Sequence, residues 1–429
     1  MGLKEFIMVK FRNLVLIFTI SILAILISCN NQGDLSSELR GDIDESVGIE
    51  EYAADDNELY GEESVVNDNV TSEEGSASDY GASGDRVERF RPEYWENFNW
   101  GAEYFANIRE PLHLDHNTPH GELAIQHLQF MSDHLYSRIP FSYREKEAAV
   151  WIVEEFLAMG HPWENIYIQE FALPEGDMRW WNLNYQGRWR SDFELRHGTQ
   201  LTQNIIVTLP GRSERKIVVG AHYDSWPTPG AADNASGSVL LLESAQRMIQ
   251  VDQYYTIQYV FFGAHEAGGF WAADHYMQNL SHEQSENLIL MINADVLIDG
   301  PHMFYGTAYM YTDDEGNWLP GSNDMTRRVD AIAEELNLDI LGDPLIAFLG
   351  SDNKMFAGRG YTVVNLCGFY RVEHEGYVGF FYMDGGQYTR GVSHSPNDCF
   401  HVIEERWPGM IRTNLNAFSI FLEAILVMD

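Results

Sequence analysis

The chain has 429 residues, a formal net charge of −38, with 65 Asp and Glu against 27 Lys and Arg, and three cysteines. Binding to phosphates needs clustered positive charge, so this balance excludes a nucleic-acid substrate.

Lys4, Lys10 and Arg12 precede an apolar run from Leu14 to Ile27 that meets Ser28 and Cys29. A basic head, an apolar stretch and a small residue form a secretory signal, and the run is shorter than the roughly 20 residues a membrane span needs. Leu26-Ile27-Ser28-Cys29 resembles a bacterial lipobox. Residues 1–28 are therefore expected to be a lipoprotein signal peptide, with Cys29 acylated and the chain lipid-anchored on the extracytoplasmic side of a bacterial cell envelope. Residues 29–88 follow as an acidic tether: from Asp34 to Glu88 eighteen acidic residues face only Arg40 and Arg86. Such a stretch has too much self-repulsion and too little apolar area to fold.

Residues 89–429 read as one domain. Glu122–Met131 and Lys146–Met159 carry apolar residues at helical spacing, the second ending at Gly160 with Pro162 beyond. Strand-like runs follow at Asn204–Leu209, Lys216–Ala221, Thr256–Gly263, Leu288–Ala294 and Thr362–Cys367. Helical segments lie at Ser236–Gln250, Trp271–Leu280, Met325–Leu336 and from about Glu404 to Val427. The alternation predicts an α/β fold, a mostly parallel mixed sheet with helices on both faces and a ligand site at the carboxyl ends of the strands. Trp180, Trp181 and Trp189 suit either a substrate-lining insertion or core. Cys367 and Cys399 suit either a disulfide or buried thiols.

Five residues with metal-ligating side chains punctuate this pattern: His222, Asp233, Glu266, Asp295 and His394. Two imidazoles and three carboxylates can hold two divalent cations around one shared carboxylate. Each alone has an ordinary explanation. Asp233 suits a helix N-cap, Glu266 suits the start of a helix, Asp295 suits a solvated strand end and His394 a surface turn. Their recurrence in one topological position is what those explanations leave out.

Val218-Val-Gly-Ala-His-Tyr-Asp-Ser225, Pro229-Gly-Ala-Ala-Asp-Asn-Ala-Ser-Gly237, Phe262-Gly-Ala-His-Glu266, Asn293-Ala-Asp295, Ser351-Asp-Asn353 and His394-Ser-Pro-Asn-Asp398 resemble the successive motifs of the zinc-dependent exopeptidases of the bacterial leucyl aminopeptidase and aminopeptidase Y type. The resemblance runs from about Leu123 to the C-terminus. It implies two zinc ions bridged by Asp233, with His222 and Asp295 completing one site and Glu266 and His394 the other, Asp224 orienting His222, and a cis peptide after Asp233. It also implies a peptide or aminoacyl substrate.

Three positions depart from the pattern. The family's adjacent aspartate is Ala232, a histidine is replaced by Asn353, and His265 stands where the family has its general-base glutamate. An imidazole, with an ordinary pKa near ~6.5, suits proton transfer near neutrality. The expectation is an extracytoplasmic metal-dependent peptide hydrolase with an altered base. The alternatives are a catalytically impaired peptidase-like binding protein and a glutaminyl-cyclase-like acyltransferase, which would use one zinc.

Overall fold

The computed structural model describes residues 118–172, 201–268, 270–312, 318–348, 350–374, 377–380, 382–384, 387–389 and 391–429. The expected signal peptide, Cys29, the tether and Trp180, Trp181 and Trp189 lie outside them.

Helices α1 (Glu122–His134) and α2 (Tyr143–Ala158) come first, followed by β1 (Ile166–Ala172), β2 (Leu201–Leu209) and β3 (Ser213–His222). A kinked turn, Ala231–Ala235, leads into α3 (Ser236–Met248) and β4 (Tyr255–Phe262). Helices α4 (Trp271–Gln278) and α5 (His282–Asn287) precede β5 (Leu288–Ala294), β6 (His302–Thr312) and β7 (Trp318–Gly321). Next are α6 (Asp324–Leu336), β8 (Ile340–Gly342), α7 (Asn353–Ala357) and β9 (Thr362–Phe369). Two short hairpins follow, Arg371–His374 with Tyr377–Phe380 and Tyr382–Asp384 with Gln387–Thr389. The chain ends in α8 (Phe400–Arg406) and α9 (Met410–Leu426).

Local chemistry sets several boundaries. The Ser142 hydroxyl accepts the Glu145 N–H at 3.2 Å and caps α2, and Asn323 with Thr326 forms a reciprocal box at the start of α6. The segment expected as one closing helix is two, because Pro408 lacks the N–H a continuing helix needs and Gly409 takes a left-handed φ of 80°.

The nine-stranded sheet runs β1-β2-β4-β3-β5-β9-β6-β7, with β8 on β6. Its centre, β4-β3-β5-β9, is parallel, as the Val- and Ile-rich runs imply; β1 and β2 on one side and β6 and β7 on the other join antiparallel. Side-chain alternation sorts the core into two layers. Ile217, Val219, Ala221, Ile257, Tyr259, Phe261, Leu290 and Ile292 pack beneath α1, α2, α3 and α9. Val218, Val260, Phe262 and Met291 face α4 and α7 on the other side. A fully buried Leu, Ile or Phe in such layers contributes about 1.5–3 kcal/mol over an exposed one. Both faces being covered, the open ground is at the strand ends. Cys367 and Cys399 are unpaired thiols, and among the described residues no helix is long and apolar enough to cross a membrane.

Candidate metal centre

The carboxyl ends of three adjacent parallel strands supply the floor of the site. His222 is the last residue of β3, and Asp295 follows β5 directly, its N–H bonded to the Leu366 carbonyl of β9 at 3.1 Å. His265 and Glu266 open a turn two residues beyond β4, which reverses through Ala264 at a φ of 53°. The buried Asp224 carboxylate holds that turn, accepting the His265 N–H at 3.1 Å and the Glu266 N–H at 2.8 Å. Asp224 also flanks His222, whose Nδ1 lies 3.2 Å from its carbonyl oxygen and 3.4 Å from its carboxylate.

Asp233 projects from the kinked turn, and the peptide joining it to Asn234 is cis, as the motif resemblance implies. Asn234 ties the turn to β5. Its amide donates to the Ala294 carbonyl at 2.9 Å, and its oxygen accepts the N–H groups of Gly237 at 2.9 Å and Val296 at 3.2 Å. Only glycine fits at 237, since a Cβ there would lie 2.1 Å from the Ala294 oxygen. Beneath the turn, Asp398 accepts the N–H groups of Ala232 and Asp233 at 2.5 and 3.2 Å. Burial and the Asp233 charge push its carboxyl up to about 8.

The ligand atoms converge. His222 Nε2 lies 3.1 Å from Asp233 Oδ1 and 3.2 Å from Asp295 Oδ1, while His394 Nε2 lies 2.9 Å from Asp233 Oδ2 and 3.2 Å from Glu266 Oε1. Asp233 thus turns one oxygen to each histidine. Zinc bonds of 2.0–2.1 Å place neighbouring tetrahedral ligands roughly 3.3 Å apart, so these separations match the edges of two coordination shells sharing one carboxylate. Among the described residues no lysine or arginine forms an ion pair with Asp233 or Asp295. This donor set fits a pair of zinc ions.

Electrostatics point the same way. Burial lowers the proton affinity of His222 and His394, yet the facing carboxylates outweigh it, raising His222 well above the ordinary range and His394 to about 10. Burial raises Asp233, but the two histidines outweigh it and hold the carboxylate far below its usual range. Burial, then the Asp233 charge, raises Glu266. Two histidines poised to share positive charge with clustered carboxylates are positions where a dication can replace the protons.

His265 sits differently. Its ring is stacked on that of His222, with centroids 3.9 Å apart and planes 9° from parallel. One of its nitrogens is within 4.8 Å of the His222 and Asp295 ligand atoms, but an ion lies in the plane of the imidazole that binds it, and two parallel stacked planes do not meet. Distance groups these residues; orientation excludes both rings from one ion. Asn353, at the family's histidine position, donates to the Ala347 carbonyl at 2.7 Å.

Four supporting residues were not singled out from sequence. Arg138, fully buried, donates to the carbonyls of Tyr223, Leu135, Pro229 and Gly230 at 2.6–3.0 Å; burial brings its guanidinium down to about 10 against the opposing pull of Asp398, Asp224, Asp233 and Glu266. Trp226 donates its indole N–H to Glu266 Oε2 at 2.9 Å and stacks on His394 at 4.4 Å. Asp299 accepts the N–H of Val392 and, at 3.2 Å, that of Ser393, holding the loop that carries His394. A Cβ on Gly391 would lie 1.8 Å from its carboxylate. Asp352 is the fourth, bonded to His265. Trp226, one residue beyond Val218–Ser225, and Asp352, inside Ser351–Asn353, were the two within reach of the motifs; Arg138 and Asp299 have no local signature.

The model of peptidase family M28 matches residues 204–419. An aminopeptidase of Pseudomonas aeruginosa is 34% identical over 98 residues, 22% of this chain and 18% of that protein. Aminopeptidase YwaD of Bacillus subtilis is 35% identical over 102 residues, 23% of this chain and 22% of that protein. The matches therefore span about a fifth of these relatives' length. A solved zinc aminopeptidase from Bacillus subtilis superposes with a TM-score of 0.50 at 15% identity, covering 75% of this chain and 99% of that one, a likeness of fold.

Proposed function

The chain belongs to peptidase family M28, and from that premise we propose that it is a zinc-dependent exopeptidase of the aminopeptidase type, acting on peptide or aminoacyl substrates. One observation carries the reading: the Asp233 carboxylate divides its oxygens between His222 at 3.1 Å and His394 at 2.9 Å, with Asp295 and Glu266 completing the two sets. Zinc, when bound there, polarises a scissile carbonyl and acidifies water. The chain's own residues hold the ions, and Asp224 and Trp226 fix the ligands. His265 occupies the place of the family's general base, so proton transfer between water and leaving amine falls to an imidazole.

The test combines metal content with turnover. Native mass spectrometry is expected to find two zinc ions per chain, and a panel of aminoacyl and peptide substrates to reveal hydrolysis that chelation removes. Absence of bound metal after zinc is supplied overturns the reading. Two ions without turnover indicate the peptidase-like binding protein, and one ion with cyclisation of N-terminal glutamine indicates the acyltransferase. The lipid-anchored, extracytoplasmic setting is a further part of this proposal, supported by the basic head, the apolar run Leu14–Ile27 and the Leu26–Cys29 motif. Cys29→Ser should release the protein from the membrane fraction; unchanged fractionation removes that part.

A further inference from the structure

His265 is fixed on every side but one. Its N–H donates to Asp224, its ring lies flat on His222, Phe270 packs 5.2 Å away at 60°, and its Nδ1 lies 2.9 Å from Asp352 Oδ2. The Asp352 side chain is fully buried, and its other oxygen has no hydrogen-bond partner among the described residues. A buried carboxylate with a single partner accepts only if that partner carries a hydrogen. The hydrogen of a neutral His265 therefore belongs on Nδ1, leaving the lone pair on Nε2. That nitrogen makes no hydrogen bond to any described residue, and the side chain is 12% exposed. An oriented imidazole backed by a carboxylate, with its second nitrogen free, is an arrangement that accepts a proton from a bound molecule.

We propose that Asp352 is the positioning residue of a His265–Asp352 pair that replaces the missing glutamate, fixing the imidazole so that Nε2 accepts a proton at the wall of the metal centre. The inference rests on the peptidase reading above. In the step it serves, the water oxygen bonds to the scissile carbonyl carbon, the C=O π pair moves onto the carbonyl oxygen, and a water proton passes to Nε2. That pair then re-forms C=O as the C–N bond breaks with its electrons on nitrogen, and Nε2 returns the proton to the leaving amine. The Asp352 carboxylate holds Nδ1 throughout and stabilises the transient imidazolium.

The closing experiment separates the pair from the peptidase reading. In the full chain with 15N-labelled histidine, His265 is identified by the signals lost in His265→Gln, and its tautomer is read by NMR without any need for turnover. The wild type is expected to carry hydrogen on Nδ1; hydrogen on Nε2 overturns the inference whatever the activity. Asp352→Asn, whose amide can donate to Nδ1, is expected to move the hydrogen to Nε2, to leave zinc at two per chain and KM within about twofold, and to lower kcat about 10²–10⁴-fold. A kcat within twofold of wild type at unchanged zinc content overturns the inference while leaving the peptidase reading intact. A wild type that turns over nothing removes that reading and, with it, the proton-transfer role of the pair.

Discussion

His222 and Asp295 stand at the ends of neighbouring parallel strands, whereas Glu266 and His394 come from a turn and a loop. The side chain of His222 is 1% exposed and that of His394 is 39%. Sheet hydrogen bonds hold the deep half, including the Asp295 N–H on β9. The shallow half depends on Trp226, which touches both of its ligands, and on Asp299 beneath the loop. A ligand set built on strands is preorganised by the fold, and one built on loops is only as well placed as its supporting shell. The deep site should therefore bind zinc more tightly and lose it last.

The largest effect is expected where the two halves meet. Asp233→Asn removes the bridging charge and replaces one carboxylate oxygen by an amide nitrogen that cannot ligate in the same way, so both sites should suffer. Native mass spectrometry should show fewer than one zinc per chain, with kcat/KM down more than about 10⁴-fold, beyond the range for loss of one general base. Retention of one tightly held ion would mean that the deep half stands without its bridge. The next effect divides the halves: His394→Ala should leave one ion resistant to dilute chelator, whereas His222→Ala should weaken the tighter site. The reverse order in a chelator titration would break the comparison. Trp226→Ala should act on the shallow half alone, lowering its zinc affinity about 10–100-fold, as loss of groups behind a ligand commonly does. Trp226→Phe keeps the stack but not the N–H donor and should fall between; equal loss at both sites would refute the division.

The same division governs what could be read from the residues in order. The deep half was legible because Val218–His222 and Leu288–Asp295 are apolar runs that end on a ligand, and strand runs are the strongest local signal in a parallel sheet. The shallow half was less legible: Glu266 follows the apolar run Thr256–Gly263, but His394 follows no strong run and drew its weight from company with the other four. Strands β1 and β6 went unread: Ile166-Tyr-Ile-Gln-Glu-Phe-Ala172 mixes polar residues into its alternation, and β6 carries His302, Gly306 and Thr312 among its aromatics. They form because they pair, β6 with β9 from His302–Phe369 to Tyr309–Thr362, a contact no window along the chain contains. Arg138 and Asp299 escaped for the same reason. Their partners lie 85–94 residues away, apart from Leu135 beside Arg138.

The smallest effect sets the histidines of the centre against one that lacks their carboxylates. His161, 2% exposed, packs edge-on to Phe156 at 5.2 Å, and its Nε2 has no hydrogen-bond partner among the described residues. Burial pushes its pKa down to about 4, only partly offset by the Ala245 carbonyl, where the same burial at His394 is outweighed by Asp233 and Glu266. The unfolded chain titrates this group near 6.5, so between about 4 and 6.5 it binds more protons than the folded one. Stability therefore rises with pH across that window and is lost as pH falls through it. His161→Phe keeps an aromatic ring against Phe156 and removes the titration. Urea unfolding at pH 7 should show a difference of about 1 kcal/mol or less, while on going to pH 5 the wild type should lose on the order of 1–2 kcal/mol more than the variant. Parallel pH slopes for the two proteins would show that His161 folds with its proton, and that burial alone, without a carboxylate, does not set the direction of a histidine in this fold.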